Sequence, residues 1–103
     1  MATPPVQEVK FNNTARPAGV QYGQDWFEWK VYVDEPKDVL QRIEAVEYLL
    51  HRTFPNPLRK VTNANTKFAL SSSGWGEFNI FITVFFKNGA RLETSYYLKL
   101  ADT

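Results

Sequence analysis

Two short segments hold the residues whose types and spacing suggest chemistry. The first is His51-Arg52-Thr53-Phe54-Pro55-Asn56-Pro57, and the second is Gly74-Trp75-Gly76-Glu77-Phe78. An enzyme reading finds little in them. His51 is the only histidine and there is no cysteine, so thiol catalysis and a disulfide scaffold are excluded. No spacing supports a Ser-His-Asp triad, and His51 has no paired metal-type ligands around it. Gly74-Trp75-Gly76 lacks the length and the following helix of a phosphate loop. No cofactor is implied. A binding role fits better, because both segments fall between predicted strands, and such loops are where binding residues concentrate.

The elements that must position these loops read as β-structure. The chain has 103 residues, the size of one domain, with 44% hydrophobic and 22% charged residues. Aromatics make up 16%, many of them in alternating runs. A first strand is expected at Val6–Phe11 and a loop at Asn12–Gly23. Trp26–Val33 reads as a stronger strand, with Trp29, Val31 and Val33 on one face. Val39–His51 is ambiguous. Val39, Ile43, Val46 and Leu50 fit a helix, whereas Val46, Tyr48 and Leu50 fit one face of a strand. A turn at Lys37–Gln41 followed by a strand reconciles the two. Short strands are expected at Leu58–Thr62 and Lys67–Ser71, and a loop at Ser71–Gly76.

The last third is the clearest. Phe78, Ile80, Ile82, Val84 and Phe86 share one face, as do Leu92, Thr94, Tyr96, Leu98 and Leu100. A two-residue turn at Asn88-Gly89 would set Val84 against Glu93 and mix core with solvent. A three-residue loop, Lys87–Gly89, sets Val84 against Leu92, Ile80 against Tyr96, Phe78 against Leu98 and Glu77 against Lys99. The second register is preferred, because a slip of one residue flips every side chain. Gly89 then takes the left-handed position of a bulged turn. Short strands joined by turns, without alternating helices, indicate an all-β, immunoglobulin-like sandwich of about eight antiparallel strands in two sheets.

Bulk charge narrows the partners. The formal net charge of +1 gives no long-range attraction to nucleic acid or an acidic membrane, so neither is expected as a partner. No run approaches the ~20 apolar residues of a transmembrane helix. Met1-Ala2-Thr3-Pro4-Pro5 has no apolar signal region, so Asn12-Asn13-Thr14 is read as a chance sequon. A cytoplasmic protein is expected, nuclear if the source is eukaryotic. Residues 1–5 read as a flexible terminus and residues 6–103 as the domain. The oligomeric state is open.

Three segments in order resemble the YEATS domain family. Trp29-Lys30-Val31-Tyr32-Val33, followed by Pro36, resembles its opening strand. Val46-Glu47-Tyr48-Leu49-Leu50-His51, then Thr53-Phe54-Pro55-Asn56-Pro57-Leu58-Arg59, is similar to its "LH-x-S/T-F-x-x-P" segment. Gly74-Trp75-Gly76-Glu77-Phe78-Asn79-Ile80 is similar to "GWGEF-x-I", and Tyr97-Leu98-Lys99-Leu100 resembles the closing strand. The resemblance runs from about Trp26 to Leu100 and assigns Glu44–His51 to a strand. It implies a sandwich whose loops read acetylated or crotonylated lysine. In that reading Phe54 and Trp75 are the aromatic walls of an acyl-lysine slot. Thr53 bonds the acyl amide, His51 orients its hydroxyl, and the Trp75 N–H bonds the acyl carbonyl. Gly74 and Gly76 let the backbone come close. Two departures stand out. Gly23-Gln24-Asp25-Trp26-Phe27-Glu28-Trp29 replaces a "G-x-T/S-H-x-W" opening, leaving Trp26 as the candidate for the opening-loop aromatic. Tyr97 stands where an acidic residue helps hold a histone tail. The tryptophan-rich opening looks more like the prokaryotic branch.

Plainer readings compete at each position. Phe54 and Trp75 could plug the sandwich end, His51 could be structural, and Thr53 could cap its own turn. Trp26 is either core or pocket rim. Trp29, Phe81 and Phe85 read as packing, and Arg52, Arg59 and Lys60 as a solvated face. The leading reading is a non-catalytic reader whose partner is an acylated-lysine peptide or protein. The alternatives are a YEATS-fold interaction module of a bacterial multidomain protein that does not bind acyl-lysine, and a hydrolase or transferase using His51.

Overall fold

The computed structural model describes residues 9–100. The strands in chain order are β1 (Phe11–Gln21), β2 (Gln24–Val33), β3 (Ile43–Leu49), β4 (Leu58–Val61), β5 (Leu70–Gly74), β6 (Asn79–Phe86) and β7 (Arg91–Tyr97). A one-turn helix, α1 (Lys37–Leu40), precedes β3. The strands form two antiparallel sheets, β1-β2-β5 and β4-β3-β6-β7, packed as a sandwich. Seven strands are thus seen among the described residues, close to the expected eight. Residues 1–5 and the first half of the predicted Val6–Phe11 strand lie outside the described residues; of the rest, Phe11 begins β1.

Alternation dictates the core. Trp29, Val31 and Val33 point inward from β2, Val46 and Tyr48 from β3, and Ile80, Ile82 and Val84 from β6; all are buried. The Tyr48 hydroxyl donates to the Phe68 carbonyl at 2.6 Å across the buried interior. Burial pushes the Tyr48 phenol well above its ordinary pKa, so it remains a protonated donor. This bond ties β3 to the segment that enters β5.

The ambiguous stretch resolves into both predicted parts. Pro36 occupies the N-cap of α1, where its missing N–H costs nothing. In β3 the pairing with β6 shifts between Ile43 and Ala45. That bulge inserts one residue, so Ile43 and Val46 are both buried although they are three apart. The helix-like spacing therefore arises from a bulged strand. The last hairpin follows the three-residue reading: Val84 pairs with Leu92 and Ile80 with Tyr96. The Leu98 N–H donates to the Phe78 carbonyl at 2.9 Å. Gly89 has φ 92°, the left-handed conformation the turn requires.

Three expectations change. Asn12–Gly23 is largely a strand and not a loop: β1 pairs with β2 from Phe11↔Val33 to Gln21↔Gln24, with a bulge between Pro17 and Val20. β5 runs Leu70–Gly74 instead of Lys67–Ser71 and takes in most of the loop expected at Ser71–Gly76, because Lys67 and Phe68 adopt φ of 59° and 54° and cannot be strand. Phe81 is not packing; it is 59% exposed on the outer sheet face.

Candidate functional site

The two loops singled out in the sequence meet at one end of the sandwich. β3 ends at Leu49, and the chain crosses to β4 through His51–Pro57. The crossing is pinned at both sides. The Leu50 N–H donates to the Pro57 carbonyl at 2.8 Å. Arg59 donates from Nε to the Asn56 carbonyl at 2.6 Å and from Nη2 to the Pro55 carbonyl at 2.8 Å. These bonds satisfy carbonyls that the prolines leave without strand partners. Arg59 is thus a loop clamp and not part of a solvated face. Nothing in its sequence surroundings marked it for that role.

Inside the loop, His51 and Thr53 form a defined pair. The Thr53 Oγ1 lies 2.9 Å from His51 Nδ1, and the Thr53 backbone N–H donates to the same nitrogen at 3.3 Å. A backbone N–H can only donate, so Nδ1 is the acceptor and the ring proton sits on Nε2. The Thr53 hydroxyl then donates to Nδ1 as well. Its lone pairs remain free to accept a hydrogen bond from outside. Both residues are exposed. The Phe54 N–H donates to the His51 carbonyl at 2.9 Å, closing the turn that places the next side chain.

Phe54 is half-buried against aromatic neighbours. Its ring centroid lies 5.3 Å from that of Phe78 and 6.2 Å from that of Trp29. Phe78 also meets His51 and Trp29 edge-on, each at 6.2 Å. Such tilted and T-shaped contacts suit aromatic quadrupoles. Phe78 is therefore the hub of the cluster, a part the sequence showed only as one member of the alternating β6 face. The Trp29 indole N–H is buried and has no hydrogen-bond partner among the described residues.

The second loop arrives through Gly74. A Cβ placed on Gly74 would lie 3.8 Å from Phe54 Cζ, so the tip of the Phe54 ring rests against this glycine. Trp75 follows directly and is 58% exposed. Phe54 and Trp75 make no ring contact with each other among the described residues. Around Gly76 the space is open. The loop is anchored beyond it by Glu77, whose Oε2 accepts from the Leu100 N–H at 2.9 Å and whose Oε1 accepts from the Tyr97 hydroxyl at 3.3 Å. The Tyr97 phenol is shifted up, by desolvation first and then by the Glu77 charge. The structure thus brings His51, Thr53, Phe54, Gly74 and Trp75 to one place. Trp26 sits one residue beyond the Phe27↔Gly74 pair of the β2–β5 ladder, on the approach to Trp75. Its Nε1 donates to the Gln21 carbonyl at 3.1 Å, which ties it to the β1–β2 hairpin.

Similarity to known proteins follows this geometry. A family model described as the prokaryotic YEATS domain matches residues 27–99. The chain belongs to the YEATS domain family. The protein AF-9 homolog of Kluyveromyces lactis is 35% identical over 77 residues, covering 70% of this chain and 34% of that protein. The Saccharomyces cerevisiae AF-9 homolog is 40% identical over 60 residues, 56% of this chain and 26% of that one. This chain thus spans about a third or less of the length of these curated relatives. Among solved structures, the yeast AF-9 homolog Yaf9 superposes with a TM-score of 0.75 at 31% identity, covering 89% of this chain and 66% of that one. The Yaf9 YEATS domain bound to H3K27ac superposes with a TM-score of 0.73 at 27% identity, covering 99% and 80%. The matched residues 27–99 include both loops. Among the described residues no helix is long and apolar enough to cross a membrane.

Proposed function

We propose that this YEATS domain is a non-catalytic reader of acylated lysine, and that the acyl group enters between Phe54 and Trp75. The observation that carries the reading is the Thr53 hydroxyl, held at 2.9 Å by His51 with its lone pairs free, beside a ring braced against Gly74. An acyl-lysine amide presents one N–H and one carbonyl. The N–H suits the Thr53 oxygen, and the carbonyl suits the backbone N–H of Trp75. A planar acyl group gains contact with the Phe54 ring on one side and with the exposed Trp75 ring on the other.

Discrimination follows from polar accounting. Unmodified lysine carries a strongly hydrated ammonium with no acceptor for the Trp75 N–H. Entering the slot, it would forfeit hydration and leave a donor unpaired. Two neighbours support the class of ligand: the Yaf9 YEATS domain has been solved bound to H3K27ac and recognizing an H3K122suc peptide. Acetyl and crotonyl groups are both flat enough for such a slot. The expected affinity is on the order of micromolar or weaker, since one side chain supplies little buried surface.

Isothermal titration with acetyl-lysine, crotonyl-lysine and unmodified lysine peptides tests the proposal. Heat with the acylated peptides alone, abolished by Trp75→Ala, is expected. Equal heat from unmodified lysine would sink the reading.

A further inference from the structure

The outer face of the four-stranded sheet carries a feature that the acyl-lysine reading does not use. Strand register sets Leu58 opposite Leu49 and Leu49 opposite Phe81, across β4, β3 and β6. All three point to solvent, with exposures of 57%, 41% and 59%. Directly opposed side chains on one sheet face lie ~5 Å apart at Cβ, so the three form a continuous apolar shelf. An apolar row across three neighbouring strands is unlike the scattered single exposures of an ordinary surface.

The next row along the sheet is charged. Lys60, Glu47, Thr83 and Glu93 stand opposite one another across all four strands. The one cation in this row is turned away: Lys60 Nζ lies over the Phe85 ring, 5.7 Å from its centroid. Neither Glu47 nor Glu93 has a hydrogen-bond or ion-pair partner among the described residues. The two carboxylates are separated by a single strand, roughly 10 Å between their backbones. A shallow concavity of about 230 Å³ joins the two rows, lined in part by Leu49, Leu58, Phe81, Glu47 and Glu93.

We propose that this face docks an extended polypeptide segment carrying a lysine or arginine beside large apolar residues. The charge complement decides the occupant. Unpaired carboxylates beside an apolar shelf fit a long basic side chain, whose aliphatic stem lies on Leu49 and Phe81 while its cation reaches Glu47 and Glu93. A purely apolar occupant would lay its chain over two anions and gain nothing from them, and an acidic one would be repelled. The shelf begins where the His51–Pro57 crossing ends, yet it shares none of the residues that would hold an acyl group. It stands whether or not the slot reads acyl-lysine.

The probe is an end-blocked Leu-Ser-Arg-Ser-Leu peptide, whose leucines and arginine share one face when extended, titrated into isotope-labelled protein while amide shifts are followed. Shifts at Leu49, Phe81, Thr83 and Glu93 that weaken with added salt are expected. The double variant Glu47→Gln, Glu93→Gln should weaken binding about fivefold, the scale of two exposed ion pairs. Phe81→Ser should weaken it by a similar factor through the lost shelf. Because all three positions lie on the outer face, an unchanged thermal midpoint is expected and separates lost docking from lost folding. The proposal is overturned if an end-blocked Leu-Ser-Glu-Ser-Leu peptide binds as well, if the shifts map to Thr53–Trp75 instead, or if no shift appears at about millimolar peptide.

Discussion

Phe54 stands on a loop held by its own hydrogen bonds and by aromatic neighbours, whereas Trp75 stands on a loop anchored only at its two ends. The Phe54 loop is closed by the Leu50–Pro57 bond, clamped by Arg59 and backed by Trp29 and Phe78. Trp75 has β5 before it and the Glu77 contacts after it, and its ring projects 58% exposed. One wall of the proposed slot is therefore packed against the core, and the other stands clear of it. Substitutions on the first wall should cost folding and binding together; on the second, binding alone.

That contrast can be broken by a short series of variants. Phe54→Ala should destabilise the domain by about 2–3 kcal/mol in urea unfolding, since it removes a half-buried ring from the Trp29–Phe78 cluster. It should also abolish peptide binding. Trp75→Ala should raise the Kd for an acyl-lysine peptide about tenfold or more while shifting stability by less than about 0.5 kcal/mol. A stability loss matching that of Phe54→Ala would erase the distinction between the walls. Thr53→Val keeps the side-chain shape and removes the hydroxyl. It should weaken binding roughly fivefold to tenfold, the value of one hydrogen bond, and leave stability nearly unchanged. The smallest effect sharpens the picture of the braced loop: Arg59→Met should cost about 1 kcal/mol of stability through the two lost carbonyl bonds, with a lesser loss of binding.

The sequence makes some of these elements easier to read than others, for physical reasons. The β6–β7 hairpin is legible because only one register keeps both apolar faces inward, and Val84↔Leu92 follows. β3 is harder, because the bulge at Ile43–Ala45 gives a strand the apolar spacing of a helix. β1 is illegible from pattern. Apart from Phe11 and Asn13, its residues are exposed, and it contains Pro17 and Gly19. An edge strand held by its backbone ladder needs no alternation, so none was written into it.

The candidate site divides in the same way. His51, Thr53, Phe54, Gly74 and Trp75 stand out by family resemblance, and the folded chain gathers them at one end. The Arg59 clamp and the Phe78 hub carry no such signal, since one resembles a surface charge and the other an ordinary core residue. Phe81 misleads because β6 is apolar on both faces, and only the fold shows which face meets solvent. The tautomer of His51 is likewise invisible in sequence; it follows from two donors converging on Nδ1.

The most direct test of the central claim is an amide-shift titration of the labelled domain with acetyl-lysine and crotonyl-lysine peptides against an unmodified lysine control. Acyl-dependent shifts at Thr53, Phe54 and Trp75 that disappear in Trp75→Ala are expected. Shifts that are absent at about millimolar peptide, or identical for unmodified lysine, would contradict that claim.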